Sequence, residues 1–401
     1  MTPRPPVSIV LGVVLLALNL RPAAASIGPV LPGARDGIPM STTSTAILTA
    51  LPLLAFALFS ALGPAAARMF GIHRATVLSL LTIAIGLLSR SLAEDSRVFL
   101  VLSLMALAGS AMATVLLPQL VMLHVPDRAA TLAAPYSRML ALGFALTAAL
   151  TAPISHSEGG WRTALAFWGV LALVSAFPWL RLMRHDLVLA PEPPVIRLVE
   201  MIRTPTCWSL AGFFGLQALQ MFVLMAWFPS LWHDNGYTSS QAGLLVALAA
   251  AVAIPLTLTV SRIASVVAHP RRIVYAVLLA YPIADGLLLA SPHTLAIPAA
   301  VLMGFGGLSF PLAITLVGRH SRTIDGALAL SGVSQTIGYL IAMIGPFIVG
   351  MMYGRDGDWD GPLTFLLFAS LPLLVLAPVV LNESKVEDEL PPVLKRAGQD
   401  S

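Results

Sequence analysis

Long apolar segments follow one another along the whole chain, and polar, charged, proline and glycine residues cluster between them. A helix that crosses a bilayer needs about 20 mainly apolar residues. Division of the chain at the polar clusters gives twelve segments of roughly that length, so the pattern predicts an all-α membrane protein with twelve transmembrane helices. The predicted spans lie at residues 7–31, 42–67, 75–93, 98–123, 129–155, 161–182, 206–232, 239–264, 272–290, 295–318, 326–352 and 362–381.

The longest connection between predicted spans carries Pro191, Pro193 and Pro194 among mixed charges, as expected of a linker between two halves. An internal repeat supports this division, because Pro118 and Pro153 recur 193 residues later as Pro311 and Pro346. We therefore predict two pseudo-symmetric six-helix halves. The predicted parts are an N-terminal bundle at 1–182, a linker at 183–205, a C-terminal bundle at 206–381 and a tail at 382–401, whose acidic stretch is interpreted as solvated.

Composition and charge support a membrane location. Apolar residues make up 57% of the 401 residues, charged residues only 10%, and the mean hydropathy is +0.87, whereas soluble domains are about 25% charged. The basic residues are scattered as ones and twos, which indicates topology signals rather than a nucleic-acid surface. Sixteen of the 23 Lys and Arg lie in loops on the side of the N-terminus. The opposite loops hold five, which are Arg35, Arg90, Arg97, Arg162 and Arg355.

The charge asymmetry predicts an inner-membrane protein with both termini in the cytoplasm. The single cysteine, Cys207, excludes an internal disulfide, and no Cys/His cluster has metal-ligand spacing. No nucleophile, carboxylate pair or metal-ligand set suited to catalysis occurs at membrane depth, so neither an enzyme nor a cofactor is expected.

Four short sequences resemble a known family. They are Leu-Asn-Leu-Arg-Pro at 18–22, Arg-Met-Phe-Gly at 68–71, Pro-Asp-Arg at 126–128 and Gly-Trp-Arg at 160–162. On these residues the chain resembles the cyanate/2-nitroimidazole permease branch of the major facilitator superfamily, most strongly in its first half. The resemblance implies the major facilitator fold and passage of small polar or anionic solutes. Pro64 and Arg68 replace the superfamily's usual glycine and aspartate in the loop after span 2, so its charge relay is not expected here.

Arg21 and Arg138 lie inside predicted spans 1 and 5, each near mid-depth. An arginine there costs about 2.5–3.5 kcal/mol on insertion scales, so one that persists usually faces a cavity or a partner. Predicted spans 1 to 6 contain no Asp or Glu. Because guanidinium groups suit planar anions through paired donors, we predict that both bind an anionic substrate. The alternative is that they snorkel or contact backbone carbonyls.

Further polar residues on predicted spans 1, 7 and 11 are candidate substrate contacts or interhelical hydrogen-bond partners. Asn19 lies about 200° around an ideal helix from Arg21, so it faces the same side only if Pro22 distorts the backbone, and otherwise it bridges helices. Gln217 and Gln220 share one face of span 7. Ser331, Gln335 and Tyr339 form a polar stripe on span 11 with a spacing of four residues.

The coupling ion is the least determined part of the sequence prediction. Asp285 is the only clear carboxylate inside a predicted span, and a structural or helix-end role is favoured for it. His124 and His233 lie at helix ends, where histidines need no special role. Uniport, exchange and proton movement with the substrate all stay open.

The sequence as a whole predicts a secondary active or facilitative transporter of a small anionic or strongly polar organic solute. It would work by alternating access in the lipid bilayer, with one chain sufficient for a complete pathway. The alternatives are a drug or antibiotic exporter of the same fold, for which an acidic and aromatic cavity is expected, and more remotely a membrane sensor.

Overall fold

The computed structural model describes residues 7–60, 62–124, 129–186, 198–266, 271–322, 324–382 and 384–389. These ranges are almost entirely helical and contain no strand. The helices are Val7–Asn19 (α1), Pro22–Ala25 (α2), Ile27–Gly37 (α3), Thr42–Phe59 (α4), Leu62–Phe70 (α5), Ile72–Ser91 (α6), Ser96–His124 (α7), Ala129–Ser155 (α8), Gly160–Leu180 (α9), Leu198–Met201 (α10), Pro205–Ala226 (α11), Phe228–Asp234 (α12), Ser239–Val266 (α13), Arg271–Ala290 (α14), Ala296–Gly306 (α15), Ser309–Arg319 (α16), Ile324–Ala342 (α17), Ile344–Asp356 (α18), Asp360–Val380 (α19) and Val386–Glu389 (α20).

The helices confirm the predicted fold class. Within the described ranges, nine helical stretches are long and apolar enough to cross a membrane, and the bent pair Ile9–Ala25 and Ile27–Gly37 is a tenth. The apolar stretches Leu142–Ser155 in α8 and Ser239–Ala253 in α13 lie at the two remaining predicted positions. Within the described ranges, ten of the twelve predicted positions therefore hold a stretch that can cross a membrane, and shorter apolar stretches lie at the other two.

Six breaks divide five of the predicted spans, and a proline follows each of them. Proline has no backbone N–H, so it leaves the carbonyl four residues earlier without its helical donor. The six prolines are Pro22, Pro29, Pro64, Pro229, Pro311 and Pro346. Proline alone does not suffice, because Pro52 lies inside the unbroken α4 and Pro282 inside the unbroken α14.

The chain divides into two compact units. The first consists of Met1–Pro191 and Leu224–Ile254, and the second of Glu192–Val223 and Pro255–Ser401. In the first unit α6 packs against α7 and α9, and α1 against α8 and α9. In the second unit α14 packs against α15 and α19. The predicted linker at 183–205 lies largely outside the described residues, and the predicted boundaries of the two halves stay a prediction.

Hydrogen bonds anchor the acidic tail as far as Glu389, although Asp388 and Glu389 stay exposed, so the prediction that the tail is solvated is wrong only in part. Glu387 Oε1 accepts from the Arg322 backbone N at 2.8 Å, and Lys385 Nζ donates to the Arg319 carbonyl at 2.6 Å. Glu389 Oε2 accepts from the Thr206 backbone N, in the first turn of α11, at 3.1 Å. The carboxylates are held because helix starts and loops offer N–H groups without helical partners.

Candidate functional site in the first span

Arg21 lies where the first span is interrupted. Helix α1 ends at Asn19, α2 begins at Pro22, and Arg21 is the residue that precedes α2, with its side chain partly buried. A second interruption follows at Ser26, where the span bends by 44° before α3. We call residues 19–26 the interrupted segment. Pro22 and Pro29 cannot donate to the carbonyls of Leu18 and Ala25, which explains both interruptions.

Two side chains from neighbouring helices hold the interrupted segment. Ser110 Oγ of α7 donates to the Leu20 carbonyl at 2.6 Å. Arg90 of α6 donates from Nη2 to Ser26 Oγ at 2.9 Å and from Nη1 to the Ala23 carbonyl at 3.3 Å. Polar groups at the break therefore have hydrogen-bond partners inside the unit, which lets an irregular backbone persist at membrane depth.

The position predicted for Arg90, in a loop on the side opposite the N-terminus, is wrong. Its side chain is 0% exposed in the last turn of α6, and Ser103 Oγ lies 3.5 Å from Nη1. Its Nε has no hydrogen-bond partner among the described residues. Near a helix end, an arginine can snorkel out to the interface or turn inward, and the sequence alone does not distinguish the two. The hydroxyl groups of Ser26 and Ser103, which lie within predicted spans, are the sequence features that could have indicated an inward-facing Arg90.

Asn19 bridges helices, as the alternative in the sequence analysis describes. Its side chain is buried, and Nδ2 donates to Ser175 Oγ of α9 at 2.6 Å and to the Leu15 carbonyl at 2.8 Å. It therefore fixes α1 against α9 just before the interruption. Its Oδ1 finds no partner in the part of the chain that the structure describes.

Arg138 lies on α8, a helix that approaches α1 closely. A Cβ atom on Gly143 would lie 2.6 Å from the Leu18 carbonyl, so the glycine allows the two backbones to meet beside the interrupted segment. Arg138 precedes Gly143 by about 7.5 Å of helix rise. Its side chain lies outside the described residues, so its predicted contact with an anion stays a prediction.

The candidate residues of the second unit form two groups. Gln217 and Gln220 of α11 are both buried. Gln220 Nε2 donates to the Leu366 carbonyl at 2.8 Å and lies 3.4 Å from Asp285 Oδ2. Both amide atoms of Gln217 are without partners in the described ranges. On α17, Gln335 Nε2 donates to Ser331 Oγ at 2.6 Å, so the predicted stripe is hydrogen-bonded along its own helix. The Tyr339 ring packs edge-on against Phe214, with centroids 5.0 Å apart.

A histidine cluster that the sequence analysis missed lies at the ends of α6 and α7. His73 Nδ1 is 2.7 Å from Asp186 Oδ1, and His73 Nε2 is 2.8 Å from His124 Nε2. The same carboxylate accepts the backbone N–H groups of His73 at 3.0 Å and Arg74 at 2.9 Å. Burial, and secondarily the proximity of His73, lower the pKa of His124. Because His73 and Asp186 are 113 residues apart in the sequence, no local sequence pattern could predict their contact.

The sequence matches known transporters. A family model described as Major Facilitator Superfamily matches residues 210–399. The chain is 33% identical over 364 residues to the uncharacterized transporter YycB of Bacillus subtilis, which covers 90% of both chains. It is 31% identical over 372 residues to a 2-nitroimidazole transporter of Escherichia coli, covering 92% of this chain and 93% of the relative. The cyanate transport protein CynX of Escherichia coli is 29% identical over 356 residues, covering 86% and 90%.

A solved structure shares the fold at low sequence identity. The nucleoside transporter NupG superposes with a TM-score of 0.76 at 12% identity, covering 94% of this chain and 100% of that one. Likeness at this identity concerns the fold alone.

Proposed function

Because the chain belongs to the major facilitator superfamily of membrane transporters, we propose that it moves a small anionic or strongly polar organic solute by alternating access, with Arg21 and Arg138 as the anion-binding groups. The observation that carries this proposal is the position of Arg21 at the break between α1 and α2, inside a bent span. An arginine within a span is functional by default because its insertion is unfavourable. The interruption also frees the backbone beside it from regular helical hydrogen bonding.

The chemistry of guanidinium defines the substrate class. Its planar set of donors pairs with two acceptor oxygens at once, which favours carboxylates and nitro groups and also suits cyanate. One relative is named as a 2-nitroimidazole transporter and another as a cyanate transport protein, and both named solutes fit that set. A lysine would supply charge without the paired geometry.

The remaining candidate residues take different parts in the proposal. Asn19 and Gln220 position helices through the hydrogen bonds described above. Gln217, Gln335 and Tyr339 are proposed contacts from the second half. The excess of basic residues in the loops on the N-terminal side supports an orientation with both termini in the cytoplasm. We further propose that one chain forms a complete pathway.

A thermal-shift screen of the purified protein tests the anion site, because a ligand stabilises the state that it binds. The probes are cyanate, benzoate and 2-nitroimidazole, with urea as a small neutral control and ethidium as a cationic drug. We expect stabilisation by cyanate or benzoate that is lost in Arg21→Ala and Arg138→Ala. Arg35→Ala, an exposed arginine at the other end of the same span, is the matched control and should respond like the wild type.

The opposite pattern would refute the anion site. If ethidium stabilises the protein and its effect survives in Arg21→Ala and Arg138→Ala, the protein is better described as a drug exporter. If the anions stabilise all variants equally, they bind somewhere other than at these arginines.

A further inference from the structure

A buried carboxyl group lies in the second unit. Asp285 is the fifteenth of the 20 residues of α14 and is 0% exposed, so it lies inside the bundle rather than at a helix end. The hydrogen bond that Asp285 accepts from Gln220 is weak, because Oδ2 lies 3.4 Å from Gln220 Nε2. Asp285 Oδ1 has no hydrogen-bond partner within the described ranges.

Among the described residues, no Lys, Arg or His forms an ion pair with Asp285. The neighbours of α14 are α15, α16 and α19, together with α11, which carries Gln220. Helices α11 and α15 contain no Asp, Glu, Lys, Arg or His, whereas α16 has only its last residue, Arg319, and α19 has only Asp360, its first. On α14 itself, Arg272 lies about 20 Å of helix rise away. Tyr281, one turn earlier, is neutral and lies 3.4 Å from Ser309 Oγ.

An ionised carboxylate in this position would be uncompensated. Moving such an ion out of water costs several kcal/mol even after relaxation of the protein, and a buried charge without a partner is strongly destabilising. The neutral acid avoids this penalty. It also supplies one more hydrogen-bond donor at a place where Asp285 Oδ1 and Gln220 Oε1 are both acceptors without partners in the described structure.

The neighbouring glutamine suggests how a proton reaches the site. Gln217 lies one turn before Gln220 on the same face of α11, is 1% exposed, and uses neither amide atom in a hydrogen bond with any described residue. Buried amides without protein partners are satisfied by ordered water. A water beside Gln217 would extend the polar path from Asp285 along α11 through the two glutamines.

We propose that Asp285 is a proton-binding site of the transport cycle. It holds a proton in the conformation described here and releases it to water when another conformation hydrates the α11 glutamines. This rests on the proposed transport function, and it names the coupling ion. One proton moved with one monovalent anion transfers no net charge, so transport would follow the pH gradient and be insensitive to membrane voltage, which otherwise acts at about 2.3 kcal/mol per charge per 100 mV.

Infrared difference spectroscopy of the purified protein tests the proton site without any substrate. The neutral acid has a carbonyl stretching band that a carboxylate lacks. We expect this band at neutral pH, its loss in Asp285→Asn, and a shift to higher frequency in Gln220→Leu, which removes a hydrogen-bond partner. Asp360→Asn, the same change at an exposed position, should leave the band intact. Absence of the band in the wild type, or its survival in Asp285→Asn, overturns the proposal.

Flux in proteoliposomes tests the coupling, with cyanate as the probe and pyranine as the internal pH indicator. With one proton per anion, a gradient of about one pH unit supports about tenfold accumulation. Asp285→Asn should lose accumulation and keep cyanate exchange at equal pH, whereas Asp360→Asn should keep both. Accumulation by Asp285→Asn equal to that of the wild type overturns the proposal. If the wild type moves no cyanate, the proposed cyanate transport fails, and the infrared band alone decides the proton site.

Discussion

Arg90 offers a test that separates stability from positioning of the interrupted segment. Its hydrogen bond to Ser26 at 2.9 Å has a charged donor and contributes about 1.5–3 kcal/mol. The contacts at 3.3 and 3.5 Å exceed the usual N–H···O range and add little. In Arg90→Ala these hydrogen bonds are lost and a cavity forms. Truncation of a large buried side chain lowers the free energy of unfolding by about 2–5 kcal/mol. The substitution also removes a charge that is unfavourable inside the membrane, which offsets about 2.5–3.5 kcal/mol of this destabilisation.

The middle values of these three contributions give an expected net destabilisation of about 3 kcal/mol for Arg90→Ala. Arg97→Ala is the matched control, because Arg97 is exposed at the start of the next helix and should change stability by less than about 0.5 kcal/mol. The free energy of unfolding is measured by denaturant titration of the detergent-solubilised protein. Equal effects of the two substitutions would contradict the burial of Arg90 and its contacts.

Arg90→Met tests whether the side chain also positions the segment that carries Arg21. Methionine retains much of the volume, and replacement of a buried charge by an apolar side chain is often neutral or stabilising. We expect stability near that of the wild type, together with a raised KM for the transported anion, because Ser26 and Ala23 lose their contact with α6. Lysine should not restore KM, since one ammonium group does not reproduce the two guanidinium contacts. A wild-type KM in a stable Arg90→Met protein would refute the positioning role.

Three further predictions concern other parts of the molecule. The pKa of His124 lies below its ordinary value of 6.5 in the folded protein, so the unfolded chain binds more protons below that pH. Stability should therefore fall as the pH drops from about 7 to 5.5. His124→Gln should flatten this pH dependence in thermal unfolding. Glu387→Gln should lower the free energy of unfolding by about 1 kcal/mol through weaker acceptance from Ser321 and Arg322, whereas Asp388→Asn, in a fully exposed ion pair, should leave it unchanged. Gly338→Ala should destabilise the protein by about 1–3 kcal/mol, because the new Cβ would lie 2.6 Å from the Phe214 ring. A Cβ on Gly332, on the same helix, would have no atom within 4 Å, so Gly332→Ala should be neutral or stabilising in the same assay.

Span positions were predictable because the bilayer imposes a simple length and composition rule. The predicted 129–155 matches Ala129–Ser155, and the predicted 239–264 falls two residues short of Ser239–Val266. The sequence pointed to Pro22 as the residue able to distort the first span, whereas the 44° bend lies at Ser26. Which prolines would break a span was not predictable from the sequence, since Pro52 and Pro282 also lie inside predicted spans and leave their helices unbroken.

The contacts between distant side chains were the part that sequence could not supply. Arg90 looks like a topology signal until its contacts with Ser26 and Ser103 are seen, and Asp186 lies 113 residues from His73. Asp285 was noticed as an unusual residue, but its burial depends on how α11, α15, α16 and α19 surround α14. Residue type at a given depth can be predicted from sequence, whereas the direction of a side chain depends on tertiary packing.

The most direct test of the account is initial-rate uptake of labelled cyanate and benzoate into proteoliposomes containing the wild type, Arg21→Ala, Arg21→Lys or Arg35→Ala. We expect saturable anion uptake by the wild type and Arg35→Ala, and its loss in both Arg21 variants, because lysine lacks the paired donors. Anion uptake by Arg21→Ala with wild-type KM, or uptake of ethidium but of neither anion by the wild type, would contradict it.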